Sequence, residues 1–424
     1  MSGAAATEVA AARLEQMLAE RTDANRRYFE AESERIARLC HRMAERFARG
    51  GRLVALGASP VARSDVRHVA VEFVHPVIVG KRALPAIGIA GEGGSLVTQA
   101  ELVLEPDDIA IAFLDDEDGA GEARESLALA RARGCMTIAF APAGAEWELE
   151  PPSADPFVRQ ELVETLYHVL WELVHVFFDH RGLLDGRSAR RVHDSGASSF
   201  LYPFLGEQEH DLEAVVADVR GSVLKKADEV GALRERTLRE GAAELLAAAA
   251  AMRAVFEAGG KLLALGNGGS ATDAMDAVAD LRHPPSGRPG RRALDLTEDP
   301  AILTAIANDI GPEALFARQI IAYGRPGDAL LSFSTSGGSA NVIAALAEAR
   351  RRGLVTVAMV GYDGGRVVAE RLADYVVVTP SEHVPRIQEA QASAWHALRE
   401  LVEVAPPARI VEGTFGEQHE ASGP

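Results

Sequence analysis

Two segments rich in glycine and hydroxyl side chains each sit where a strand pattern gives way to a helix. They are Gly266-Asn-Gly-Gly-Ser270 and Ser334-Thr-Ser-Gly-Gly-Ser339. Glycine lets the backbone turn tightly and bring its N–H groups onto an anion, and a helix N-terminus adds partial positive charge. The plainer alternative for either segment alone is a strand–helix turn with a serine N-cap. Two such segments in one chain favour anion binding, with Asn267, Gly268, Gly269, Ser270, Ser334, Thr335, Ser336 and Ser339 as the candidate contacts. Hydroxyls without a nearby lysine suit a sugar phosphate better than a nucleotide triphosphate. Neither a Walker lysine nor a GxGxxG run is present, so no nucleotide cofactor is expected.

A second set of residues could move protons or hold a cation. His68 and Glu72 are four residues apart, which places both on one face of a helix. Asp276 and Asp280 repeat that spacing in the second half, where the alternative is a solvated acidic helix face. Each half also carries a glutamine followed eight residues later by a histidine, Gln160/His168 and Gln388/His396. Residues eight apart on a helix lie ~12 Å apart along its axis. A glutamine and histidine of one pair therefore cannot easily share one ion: only one ligates, or each serves a different site.

The elements that must position these residues occur twice. A long Ala/Glu/Arg-rich helical region spans about 8–49 and again about 207–258. A buried-strand pattern ending in glycine follows, Arg52-Leu-Val-Ala-Leu-Gly57 and Lys261-Leu-Leu-Ala-Leu-Gly266. Then come matching strands from Pro106 and Pro326, a helix closing on Gly134 or Gly353, a β-branched strand, and the Gln/His helix. Strands alternating with helices imply βαβ units and parallel sheets covered on both faces. The expected architecture is α/β, with units at 1–186 and 207–424 joined by a Ser/Arg/Gly-rich linker at 187–206.

The motifs reach a family in the second half. Gly266-Asn-Gly-Gly-Ser-Ala-Thr-Asp-Ala274, Ala307-Asn-Asp-Ile-Gly311, Gly324-Arg-Pro-Gly-Asp328, Ser334-Thr-Ser-Gly-Gly-Ser-Ala-Asn-Val342 and Arg386-Ile-Gln-Glu389 together resemble the phosphoheptose isomerases, which carry sugar isomerase (SIS) domains. The resemblance covers about 207–404 and is weak before it. It implies two tandem SIS domains of flavodoxin-like αβα fold, the first degenerate, and homo-oligomers with sites between subunits. It also implies a small phosphorylated sugar as partner and often a zinc ion. Ser270, Ser334, Ser336 and Ser339 match the family's phosphate positions, and Asp309 and Gln388 join the substrate set. Family chemistry is aldose–ketose isomerisation through an enediol, with a Glu and a His exchanging protons. The corresponding positions are Asp280 and His396 in the second half, Glu72 and His168 in the first. The metal set reads His68, Glu72, Gln160 and His168, or alternatively Asp276, Asp280, Gln388 and His396.

The halves have decayed in complementary ways. The second keeps the glycine and hydroxyl loops but has Asp for His at 276 and Asp for Glu at 280. The first keeps His68 and Glu72, but Ser59-Pro60 replaces the glycine run and Asp115-Asp-Glu-Asp118 would repel a phosphate. A composite site is the attractive reading: loops of the second half with helix residues of the first. The competing reading is a non-catalytic phosphosugar-binding regulator or scaffold.

Bulk composition fits a small-molecule protein. Hydrophobic residues make up 47% and charged residues 25%, the balance of a globular chain. The net charge of −18 and 5% aromatics argue against a nucleic-acid partner. Two cysteines support neither a disulfide framework nor a cysteine zinc site. No apolar run approaches a membrane span, so a cytoplasmic protein is expected, with the fused chain dimerising into a four-domain particle.

Overall fold

In the computed structural model, described for residues 3–78, 81–114, 120–179, 184, 211–285 and 287–404, the chain forms two five-stranded parallel sheets. The first half runs α1 (Gly3–Ala48), β1 (Leu53–Leu56), α2 (Pro60–Val74), β2 (Ala86–Ile89), α3 (Leu96–Val103), β3 (Ile109–Ala112), α4 (Ala120–Ala132), β4 (Met136–Ala139), β5 (Trp147–Glu148) and α5 (Pro156–Asp179). The second runs α6 (Leu212–Glu240), α7 (Ala242–Glu257), β6 (Leu262–Leu265), α8 (Gly269–Arg282), β7 (Ala293–Asp295), α9 (Pro300–Asp309), α10 (Leu315–Tyr323), β8 (Ala329–Ser334), α11 (Ala340–Arg351), β9 (Val355–Gly361), α12 (Gly365–Ala369), β10 (Tyr375–Thr379) and α13 (Val384–Val404).

Strand order is β2-β1-β3-β4-β5 in one sheet and β7-β6-β8-β9-β10 in the other. Each is the flavodoxin-like 2-1-3-4-5 arrangement, whose crevice lies beyond the carboxyl ends of the first and third strands. The central strands are buried on both faces, which is why they read as continuous apolar runs rather than alternating ones. On β1, Leu53 and Ala55 face α2 and α5, whereas Val54 and Leu56 face α3 and α4. β6 divides in the same way.

The leading helices do not stay within their own halves. Ala10, Leu14, Met17 and Leu18 of α1 lie in the core of the second sheet, while Ala24 through Phe47 lie in the core of the first. Reciprocally, Val215 to Ala227 of α6 pack into the first core, and Leu238 packs into the second. A 46-residue helix is ~69 Å long, far more than one sheet can cover. Its apolar stripe therefore continues onto the neighbouring unit. The 187–206 segment lies outside the described residues, but a cut there would strip each core of a helix end. Among the described residues, no helix is long and apolar enough to cross a membrane.

Candidate active site between the halves

The two anion loops converge. Gly268, at φ +58 and ψ −126, occupies backbone space that side-chain-bearing residues avoid, and it starts α8 without a side-chain cap. Ser339 precedes α11 and makes no capping bond to its own helix. The side chains of Asn267 and Asn341 exchange two hydrogen bonds, at 3.0 and 2.8 Å, which fixes the starts of α8 and α11 against each other. Ser334 Oγ accepts from Gly337 N at 3.1 Å and Ser336 Oγ from Gly338 N at 3.2 Å. Both hydroxyls then keep their O–H groups for an acceptor such as a phosphate oxygen. Ser270 and Ser334 are buried beneath the loops, Ser336 is exposed, and Thr335 is half-buried. Asp309 ends α9 on the exposed surface, where Asn308 donates to its carboxylate at 2.7 Å. In the first half the corresponding turn is a plain helix start, with Ser59 Oγ accepting from Ala62 N at 2.9 Å. The acidic run 115–118 lies outside the described residues.

Four helices carry the titratable residues into the seam between the halves: α2 and α5 from the first, α8 and α13 from the second. Gly269 marks the meeting point. A Cβ placed there would overlap Gln388 Nε2 and lie 2.9 Å from His68 Nε2. The N-terminus of α8 in the second half thus closely approaches a histidine of the first half.

Around His68 the polar atoms are short of partners. His68 Nε2 is 3.3 Å from His168 Nε2, while the opposite ring nitrogens contact Tyr167 Oη at 2.9 Å and Glu389 Oε1 at 3.0 Å. Glu72 Oε1 lies 3.9 Å from His68 Nε2. Glu72 Oε2, Gln388 Oε1 and Glu164 Oε1 are all buried without a hydrogen-bond partner. Burial lowers the His68 pKa well below its ordinary value, with the neighbouring His168 adding to the effect. Burial also raises that of Glu72. A cation beside the two imidazoles could satisfy the unpartnered oxygens of Glu72, Glu164 and Gln388. This mixed N/O donor set suits a borderline divalent cation such as zinc. His68, Glu164 and His168 offer ligand atoms within 4.8 Å of one another.

The second set, around His396, is closed by its own hydrogen bonds and ion pairs. His396 Nδ1 meets Glu161 Oε1 at 2.9 Å, and its Nε2 lies 3.3 Å from Asp276 and 3.6 Å from Asp280. Trp395 donates to Asp280 at 2.7 Å, Gln160 and Ser64 donate to Asp276 at 2.7 and 3.3 Å, and Arg21 and Ser393 hold Glu161. Burial opposes the imidazolium, but the bonds to Asp276 and Glu161, with Asp280 beside them, raise the His396 pKa well above its usual value. Burial and the adjacent Asp276 push Asp280 up to about 7, against the pull of His396 and Trp395. Asp276, Asp280 and His396 also offer ligand atoms within 4.8 Å of one another, but both nitrogens of His396 already face a carboxylate. Aspartate in place of histidine at 276 has made an internal ion cluster.

The structure thus sorts the residues differently from either half taken alone. Gln160 of the first half turns its amide to the carboxylate of Asp276 in the second, and Gln388 of the second shares the space beside Gly269 with His68 of the first. Sequence reading missed Glu164, Glu161 and Glu389. The last two had a signal, since Gln-Glu recurs at 160–161 and 388–389.

The ion cluster makes a testable contribution to stability. Asp280 binds its proton more tightly folded than unfolded, so between the ordinary Asp value and about 7 its burial costs stability increasingly as pH rises. The raised His396 acts in the same direction: its stabilisation is complete below ~6.5 and is lost as pH climbs through the folded value. We expect the melting temperature to fall between pH 6 and 9, and to fall less in Asp280→Asn. Differential scanning fluorimetry across that range checks it; parallel slopes would show that the cluster does not titrate there.

Comparison with known proteins agrees with this architecture. The SIS-domain sequence model matches residues 227–361. The chain is 45% identical over 175 residues to phosphoheptose isomerase of Pelodictyon phaeoclathratiforme, covering 40% of this chain and 82% of that one. It is 49% identical over 156 residues to that of Paramagnetospirillum magneticum, covering 36% and 79%. In fold, the C-terminal domain of glucosamine-fructose-6-phosphate aminotransferase from Francisella tularensis matches 92% of this chain and 94% of its own, with a TM-score of 0.57 at 10% identity. Tagatose-6-phosphate ketose/aldose isomerase from Escherichia coli matches 93% and 94%, with a TM-score of 0.53 at 13% identity. The fold is that of two SIS domains in tandem. The chain belongs to the SIS-domain family of sugar-phosphate isomerases.

Proposed function

We propose that the chain is an aldose–ketose isomerase of the phosphoheptose type, interconverting sedoheptulose 7-phosphate and D-glycero-D-manno-heptose 7-phosphate at one composite site. The observation that carries the proposal is the contact of Gly269 with His68 and Gln388, which joins the intact anion loops to the intact histidine set. Ser270, Ser334, Thr335, Ser336 and Ser339 receive the phosphate at the starts of α8 and α11, with backbone N–H groups of 268–270 contributing. The sugar then extends toward α2 and α5. Glu72, its pKa raised by burial, takes the proton beside the carbonyl, and His168 exchanges the proton on oxygen when its Nε2 holds no cation. His68, His168, Gln388 and a carboxylate from Glu72 or Glu164 would hold a zinc-class cation, which when bound supplies Lewis-acid polarisation of substrate oxygens. Asp280 and His396, committed to the ion cluster, take no part in turnover.

The assay is direct: incubate with sedoheptulose 7-phosphate, with and without zinc, and follow aldose formation. No aldose under either condition would leave a phosphosugar-binding regulator as the reading. Binding has its own measurement. A phosphosugar at a hundredfold excess over Kd should add about 2.7 kcal/mol of stability, seen as a rise in melting temperature. Ser336→Asp places a carboxylate on the exposed face of the loop and should remove that rise. A rise that persists would move the phosphate elsewhere.

A further inference from the structure

We infer that Glu389, contributed by the second half, is the positioning residue for His168 of the first; this rests on the composite site proposed above. Glu389 Oε1 lies 3.0 Å from His168 Nδ1, and both side chains are fully buried. Arg386 pairs with both oxygens of Glu389, and its other terminal nitrogen reaches Glu172 at 2.9 Å. Lys226 in turn pairs with Glu172. Charges thus alternate along α13, α5 and α6 from a partly exposed lysine to the imidazole.

A carboxylate gripped by a guanidinium acts as an acceptor, so it draws the His168 proton to Nδ1 and leaves a lone pair on Nε2. Nε2 is the nitrogen that faces His68. A carboxylate partner fixes ring orientation, sets the tautomer and raises the basicity of a ligating or proton-exchanging histidine. The same contact exists at the second histidine, Glu161 to His396 at 2.9 Å, but there Nε2 meets Asp276 instead of His68. The geometry is therefore inherited by both halves and used by one. It also makes His168 dependent on a residue more than two hundred positions away, so neither half completes the site alone.

The test uses the full-length protein. Zinc affinity is measured by chelator competition for wild type, Glu389→Gln and Glu161→Gln, with melting temperatures recorded for all three. Glu389→Gln is expected to weaken zinc by roughly 10–100-fold. Glu161→Gln removes an equally buried carboxylate and should leave zinc affinity within about twofold, whatever its thermal cost. Equal losses in both variants, or wild-type affinity in Glu389→Gln, would overturn the assignment. Because Glu389→Gln could fold poorly, a second measurement uses unmutated protein. Long-range 15N–1H correlation of metal-free protein, assigned with His168→Asn, should show the Nδ1–H tautomer at His168; the Nε2–H tautomer refutes the inference. Wild-type protein that takes up no zinc would count against the metal reading above and would leave the tautomer measurement to decide the role of Glu389.

Discussion

Glu72→Gln should lower kcat by roughly 10²–10⁴-fold while phosphosugar still raises the melting temperature as it does in wild type. Glutamine keeps the size of the buried side chain and removes its ability to take a proton. Glu72 sits on α2 beside His68 and is not one of the phosphate-loop hydroxyls, so the loss belongs to the chemical step and KM should change little. His168→Ala should be equally damaging to turnover. The contrast is with the mirror residues. His396→Ala leaves buried carboxylates without their cation, which costs about 3–5 kcal/mol of stability. Asp280→Asn removes a carboxylate whose pKa is already pushed up to about 7 and should cost less. Their protein should melt earlier yet turn over near the wild-type rate once folded. Measuring kcat, KM and melting temperature for the four variants separates the possibilities. A fully active Glu72→Gln enzyme would make the first half's residues inherited structure and leave no composite catalysis.

Much of this arrangement could be read from residue order. The repeated strand phrases around Gly57 and Gly266 specify two βαβ units, because only a strand covered on both faces reads Leu-Val-Ala-Leu or Leu-Leu-Ala-Leu without alternation. The glycine and serine loops announce themselves because each needs a particular backbone or hydroxyl at a helix start. The exchange of α1 and α6 is not legible: an apolar stripe specifies that a face is buried, not which sheet buries it. Ala10 to Leu18 and Ala24 to Phe47 belong to one continuous pattern and two different cores. The partition of Gln160 and Gln388 was half legible. The eight-residue spacing argued against a shared ion within one half, but only the packing of α8 against α2 and α13 shows where each glutamine lies. Glu164 had no signal beyond its helix face, because its importance comes from lacking a partner in three dimensions.

Gly269→Ala tests the seam itself and should disturb the site far more than the fold. The substituted Cβ would overlap Gln388 Nε2 and crowd His68 Nε2 at 2.9 Å. Gln388 and Gly269 belong to the second half and His68 to the first, so the methyl group wedges apart the three elements that form the composite site. Nothing in the helix itself resists the change. Gly269 is the first residue of α8, and alanine is a better helix former than glycine there by up to ~1 kcal/mol. Gln388 must therefore swing away or α8 must shift, and displacing catalytic groups by ~1 Å can cost ~100-fold in rate. The expected result is a loss of at least that size in kcat and weakened zinc uptake, with thermal stability changed by only a few degrees. Gly268→Ala is the informative neighbour: no atom stands within 4 Å of its would-be Cβ, but its positive φ strains any side chain. Gly268→Ala should weaken phosphosugar binding through the loop backbone and leave zinc uptake intact. Should Gly269→Ala retain wild-type turnover, His68 and Gln388 would have no part in the reaction, and the two halves would have to work apart.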